Sequence, residues 1–262
     1  MACGMAGTTT TDDLFGALDW EEDPVECLES WEATSTSDGF ETVTAGKLRV
    51  LPVQRDEETS LGFQQVKLLE GQGWGDGQHP STWLCLDFLD EVIKGGEEEV
   101  VDYGTGSGVL AAAAALLGAK HVTAVDVDID ILAHAKQNFL LNGVDEEVLA
   151  LHTREVSIGD LAGQVVVSNM MAGPMRRQMA VLVLTIEGDG LLCLSGLRAS
   201  DAPLIKREFG KYLDWDGGLE ATRTCAVSGE WVRLVGRPKA GLSAGGELRT
   251  ELERDLSEVA VA

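Results

Sequence analysis

Basic residues are scarce in this chain. Its 262 residues hold 20 Lys and Arg against 44 Asp and Glu, a formal net charge of −24 at pH 7. That balance does not suit a nucleic-acid partner, because phosphate contacts need clustered Lys and Arg. Strong negative charge serves solubility first, and it also favours encounter with a basic protein or peptide. The shortage is complete in residues 1–46, which contain no Lys or Arg. Cysteines are few and scattered (Cys3, Cys27, Cys85, Cys193 and Cys225), with no C-x-x-C pair. Their odd number and wide spacing argue for a reducing compartment and against a disulfide framework or a zinc site. Cys85 and Cys193 lie in apolar runs and read as small buried hydrophobes. No stretch reaches the length of a membrane span, and the N-terminus has neither a signal nor a transit pattern. A cytoplasmic location with no membrane partner is expected.

A hydrophobic content of 44% fits a globular protein with one substantial core. From Glu98 onward, strand and helix patterns alternate. Strands are expected at Glu99–Tyr103, His121–Asp126, Val148–His152, Val165–Asn169 and Gly190–Ser195. Helices are expected at Val109–Leu117, Ile129–Asn142, Met175–Ile186 and Pro203–Tyr212. Near-continuous apolar strands between amphipathic helices predict a doubly wound α/β sheet covered on both faces. The end differs, since Leu219–Val227 and Glu230–Gly236 flank Ser228-Gly229, a hairpin signal. Five parallel strands and a terminal antiparallel hairpin make a mostly parallel, seven-stranded sheet, the arrangement of class I S-adenosylmethionine (AdoMet)-dependent methyltransferases.

Four parts follow. Residues 1–46 are expected to be an acidic, partly disordered arm. Residues 47–97 hold a strand over Lys47–Val53, a glycine-rich loop over Gly73–His79 and a helix from Pro80. Residues 98–236 form the α/β domain. Residues 237–262 are expected to be a flexible tail, with a short exposed helix over Glu247–Val259.

The densest chemical signal is Val100-Val101-Asp102-Tyr103-Gly104-Thr105-Gly106-Ser107-Gly108. It reads as an apolar strand ending in an acid, then alternating glycines, then an alanine-rich helix. Glycines at such a turn let a ligand approach the main chain, and the helix N-terminus aims N–H groups at it. Asp126 ends the next strand, where a carboxylate can accept both hydroxyls of a ribose. A dinucleotide site and an AdoMet site compete for this unit. The spacing G-x-G-x-G is one residue short of the dinucleotide fingerprint. Asp102 would also repel a pyrophosphate and welcome the ammonium of AdoMet. The balance favours AdoMet.

Ligands in a doubly wound sheet bind beyond the carboxyl ends of the strands. Asp102, Asp126 and Asn169 all sit there. An amide at Asn169 can accept from and donate to an amine, although an Asn in a strand-to-helix turn also commonly caps the next helix. The second constellation is Gly73-Trp74-Gly75-Asp76-Gly77-Gln78-His79-Pro80-Ser81-Thr82. Its glycines make a loop able to close over a bound cofactor, and Pro80 suits a first helical turn. Thr82 would present a hydroxyl to the crevice. His79 has no metal partners in view and reads first as a surface residue. No general base stands out from the sequence; Asp76, His79 and water are the candidates.

Gly75-x-Gly77-x-His79-Pro80-Ser81-Thr82, the Val101–Gly108 turn, Val125-Asp126-Val127-Asp128, Asn169-Met170-Met171-Ala172-Gly173-Pro174 and Gly229-Glu230-Trp231 occur in that order. Together they resemble the PrmA family, protein lysine methyltransferases of a large-subunit ribosomal protein. The similarity runs from about Lys47 to Gly236. The resemblance implies that Thr82, Gly104, Asp126 and Asn169 contact AdoMet, and that Asp102 and Gly106 shape the same pocket. The chain departs from the family's usual Phe at Trp74 and Thr at Asp76, Gln78 and Ser81. It also has an acidic arm where the bacterial enzymes carry a separate substrate-recognition domain. In that respect it is similar to the sister electron-transfer-flavoprotein lysine methyltransferases.

The expected activity is methyl transfer from AdoMet to a lysine or N-terminal amine of a protein substrate such as a ribosomal protein. Asn169 would position the amine, and Thr82, Asp102, Gly104, Gly106 and Asp126 would complete the cofactor pocket. A small-molecule methyltransferase and a non-catalytic AdoMet-fold module that binds a basic partner are the alternatives.

Overall fold

The structure, a computed structural model, describes residues 42–54, 62–69, 77–153, 161–243 and 245–261. Most of the acidic arm therefore lies outside the described residues, as do Trp74 and Asp76. The chain opens with β1 (Val43–Ala45), β2 (Leu48–Pro52) and β3 (Gln64–Leu68), followed by α1 (Pro80–Val92). Then come β4 (Glu99–Tyr103), α2 (Val109–Leu116), β5 (His121–Asp126), α3 (Ile129–Leu141), β6 (Leu149–Thr153) and β7 (Gly163–Asn169). The last part holds α4 (Ala172–Arg177), α5 (Met179–Leu184), β8 (Ile186–Arg198), α6 (Ala202–Phe209), β9 (Leu213–Trp215), β10 (Ala221–Cys225), β11 (Gly229–Pro238) and α7 (Glu247–Val261).

The main sheet runs β10-β11-β8-β7-β4-β5-β6, with β9 paired to β11 beside that path. Strands β8, β7, β4, β5 and β6 are mutually parallel, and β11 and β10 close the sheet antiparallel. This is the α/β arrangement that the strand and helix pattern predicted. Chain order reverses between β4 and β7, so the crevice opens at the carboxyl ends of those central strands. Their inner residues are apolar because both faces are covered. Val101, Val166, Val167 and Leu192 are wholly buried, and Cys85 and Cys193 join them as free, buried thiols.

Several boundaries differ from expectation for physical reasons. The single helix predicted over Met175–Ile186 is two, α4 and α5, broken at Gln178. The Gln178 side chain accepts from the Tyr103 hydroxyl at 3.1 Å, a contact 75 residues away that local periodicity does not encode. The hairpin turn lies at Ala226–Ser228, because Gly229 already pairs with Cys225. The helix expected near the end of the tail is not exposed along its length, since Leu252 of α7 is 1% exposed and packs into the core.

A second, three-stranded sheet, β1-β2-β3, was not anticipated beyond the one strand at Lys47–Val53. Strand β3 is at its edge and would leave main-chain groups unpaired. Helix α3 covers it with asparagine side chains. The Asn142 amide accepts from Lys67 N–H at 2.8 Å and donates to Lys67 C=O at 2.7 Å. Asn138 accepts from Leu69 N–H at 2.8 Å. The fit is geometric: four helical residues rise about 6 Å, and two strand residues rise about 6.6 Å. Asparagines one turn apart thus meet alternate residues of the strand edge.

Arg233 of β11 joins the end sheet strands to α1. Its side chain is 3% exposed and donates to Leu219 C=O at 2.8 Å, to Leu84 C=O at 3.0 Å and to the Asp87 and Glu91 carboxylates at 3.1 and 3.3 Å. It holds α1, and with it the N-terminus of that helix at the crevice.

Asn138 is wholly buried, and its Nδ2 also donates to Ser107 C=O at 2.8 Å. Replacing Asn138 by Ala would remove the buried acceptor of Leu69 N–H and the buried donor to Ser107 C=O. We expect a loss of about 2–3 kcal/mol in unfolding free energy, measured by urea denaturation. A loss below half a kcal/mol would show that water replaces the amide.

Candidate functional site

Strand β4 delivers Asp102 to the base of the glycine turn, and the carboxylate is fully buried there. Its Oδ2 accepts from Thr105 Oγ1 at 2.7 Å and from Ala111 N–H at 3.1 Å, joining the turn to the first turn of α2. Its Oδ1 is buried with no hydrogen-bond partner. Burial pushes the carboxyl from its ordinary 3.8 up to about 7, against the Thr105 and Ala111 bonds that favour the charged form. The Asp126 charge nearby adds to the upward shift.

Gly104, Gly106 and Gly108 all adopt positive φ, +83°, +56° and +81°. At Gly108 the close approach is tested directly, since a Cβ would lie 2.7 Å from the Phe139 ring of α3. The bare glycine lets α3 press Phe139 and Asn138 against the back of the turn. The front is tied to β5, with Gly104 and Thr105 N–H donating to Val125 C=O at 2.8 and 2.9 Å. Gly106 N–H donates to Asp126 Oδ2 at 3.1 Å. Asp126 Oδ1 accepts from Val127 and Asp128 N–H at 2.7 and 3.2 Å. The two strand-end carboxylates thus grip the same turn, one from below and one from its rim. Asp126 is part-exposed, and Val127 after it is 67% exposed.

Asn169 ends β7 next to β4. Its Nδ2 donates to Thr82 Oγ1 of α1 at 3.1 Å, across 87 residues. Two residues singled out separately in the sequence therefore touch. The contact commits the amide N–H side to Thr82 and leaves Oδ1 as the acceptor of the pair. Asn169 does not cap the following helix, which has no side-chain cap bond. The strand is held in place by Ser168 Oγ, which donates to Tyr103 C=O of β4 at 2.9 Å.

His79 has a structural task. It is the N-cap of α1, its Nδ1 lying 3.3 Å from Ser81 N and 2.7 Å from Ser81 Oγ. Its ring meets Trp231 of β11 edge-on, with centroids 4.3 Å apart. The sequence showed no role for Asn138, although it supports the crevice from behind the turn. The i, i+4 Asn pair on the apolar face of α3 was the available signal.

The sheet order and the strand-end groups around the turn define a class I AdoMet-dependent methyltransferase fold. The chain belongs to the family described as ribosomal protein L11 methyltransferase (PrmA), whose pattern matches residues 20–239. It is 36% identical over 203 residues to the ribosomal protein L11 methyltransferase of Shewanella sp. (strain ANA-3), covering 77% of this chain and 66% of that protein. The counterpart from Shewanella baltica (strain OS195) is 35% identical over the same length. The chain thus spans a little under two thirds of the length of these relatives. The crystal structure of ribosomal protein L11 methylase from Lactobacillus delbrueckii subsp. bulgaricus superposes with a TM-score of 0.64 at 25% identity, over 76% of this chain and 98% of that one.

The burial of Asp102 has a measurable consequence. In the folded protein it keeps its proton up to about pH 7, while in the unfolded chain it releases it near 3.8. The folded state therefore binds more protons in between, and stability falls as pH rises through that window. Asp102→Asn keeps an acceptor for Thr105 and Ala111 but cannot ionise. Denaturation between pH 4 and 8 should show the variant gaining on the wild type with rising pH. Parallel curves would mean that the carboxyl titrates normally.

Proposed function

We propose that this chain is an AdoMet-dependent protein methyltransferase that modifies an amine, a lysine or N-terminal one, of a ribosomal protein of the L11 kind. The observation that carries the reading is the Asn169–Thr82 pair set beside the glycine turn and Asp126. Family membership and the names of the relatives support the ribosomal substrate.

The residues present fit the cofactor. Asp126 offers a part-exposed carboxylate at a strand end, suited to ribose hydroxyls. The buried Oδ1 of Asp102 has no hydrogen-bond partner, and a cationic amino-acid end brought beside that carboxyl would favour its ionised form and complement it. Gly104 and Gly106 keep the backbone open to close approach. When bound, AdoMet supplies an electrophilic methyl group on a sulfonium. The protein's own contribution is then positional, because displacement at a methyl needs alignment more than acid or base groups.

Asn169 Oδ1 would accept a hydrogen bond from the incoming amine and aim its lone pair, with Thr82 fixing the amide. The amine must be neutral to attack, and a free lysine has a pKa near about 10.4. His79 is engaged in capping α1, so on this reading solvent takes the proton. Met171, two residues after Asn169, is 69% exposed and would offer apolar surface to a protein substrate arriving there.

Labelled AdoMet with purified L11-type ribosomal protein should give label on an amine of that protein. Asp126→Ala should weaken AdoMet binding in calorimetry by at least tenfold, and Gly104→Arg should abolish it. Asn169→Ala should reduce turnover on the order of a hundredfold with a smaller change in AdoMet affinity. Label confined to small metabolites, or to an electron-transfer flavoprotein, would overturn the substrate. Absence of AdoMet binding would overturn the enzyme.

A further inference from the structure

Strands β7 and β8 run parallel in register as far as Asn169 opposite Ser195. One residue on, Met170 N–H still donates to Ser195 C=O, at 3.1 Å. The next residue of β8 is Gly196, with φ +79°. A Cβ there would lie 2.6, 2.7 and 2.7 Å from the O, C and N atoms of Met170. All three are backbone atoms of one residue, so no rotamer change relieves the overlap. The chain leaving β7 therefore rests directly on the bare Cα of Gly196.

What Met170 carries makes this more than packing. It follows Asn169, whose amide is fixed on Thr82. Its own Cε reaches to 3.2 Å from the place of a Cβ on Gly104, the first glycine of the turn. Opening the 2.6 Å contact to an ordinary 3.4 Å would push the Met170 peptide out by about 0.8 Å. A displacement of that size next to a reacting group is enough to cost about a hundredfold in rate. The anchors at Asp126 and Gly106 lie on β5 and the turn, away from the clash.

We propose that Gly196 is a positioning residue for methyl transfer. Its missing side chain seats the Met170 peptide, and through it sets Asn169 against Thr82 and the Met170 thioether against Gly104. The inference rests on the methyltransferase reading above and names the element that sets its amine-side geometry.

The test compares Gly196→Ala with Gly188→Ala. Gly188 lies on the same strand with φ +56°, yet nothing stands within 4 Å of an added Cβ. The control thus carries a left-handed backbone without the collision. Gly196→Ala should lower kcat for the protein substrate by 10- to 100-fold while the AdoMet Kd stays within about threefold. Gly188→Ala should leave both within about twofold. A Gly196→Ala variant with wild-type kcat, or one whose turnover falls only in step with AdoMet affinity, overturns the proposal.

Native-state hydrogen exchange supplies the second readout and needs no activity. In the wild type the Met170 amide should be protected as strongly as its β7 neighbours, and fast exchange there overturns the seating even if Gly196→Ala does not fold. Absence of methyl transfer by the wild type would count against the enzymatic reading alone, and the exchange result would still decide the seating.

Discussion

A buried carboxylate holds this crevice together. Asp102 has no exposed surface, and its Oδ2 joins the Thr105 hydroxyl to the Ala111 amide, so strand, turn and helix share one acceptor. A charged group in that place is costly, as its upward-shifted pKa shows. A turn of three left-handed glycines has little side-chain packing of its own to define its path. The carboxylate supplies that definition from below, and Asp126 supplies it from the rim through Gly106 N–H. Asn138 completes it from behind by donating to Ser107 C=O.

The same logic extends outward through polar groups that are few but satisfied. Ser168 fixes β7 on Tyr103, and Ser195 Oγ donates to Val232 C=O at 3.0 Å, fixing β8 on β11. Arg233 draws α1 onto β11. Each joins two elements distant in sequence, and each is buried where an unpaired partner would be expensive. The apolar strands make the sheet stable, while these bonds set where its carboxyl ends stand relative to one another. Asn169 and Thr82 meet because α1 and β7 are both held in this way.

Much of this was legible along the chain, and the illegible parts share a cause. Strands β4 and β5 fell where apolar runs end in an acid, because burial on both faces and the strand-end crevice leave that mark locally. Asp102, Asp126 and Asn169 were placed at strand ends for the same reason. Strand β3, Gln-Gln-Val-Lys-Leu, carries no such mark, since it is half polar and its edge is satisfied by Asn138 and Asn142 some 70 residues away. The break at Gln178 and the task of Gly196 depend likewise on partners far along the chain. His79 looked like a loop residue until its capping bond and the Trp231 ring gave it a place.

The charge pattern of the crevice bears on why an amide stands at Asn169. Asp102 and Asp126 already interact unfavourably, as the contribution of Asp126 to the Asp102 shift shows. On the proposed reading, the incoming amine must be neutral when it attacks. A carboxylate at the end of β7 would bind the ammonium form and raise its pKa, stabilising the unreactive species. It would also add a third acid to a site where one is already protonated near neutral pH. A neutral amide accepts a hydrogen bond without favouring the cation, and its donor side can be spent on Thr82 to fix its orientation. On the proposed reading, the carboxylates stand where they hold the turn and would meet the ribose, and the neutral group stands where the amine would arrive.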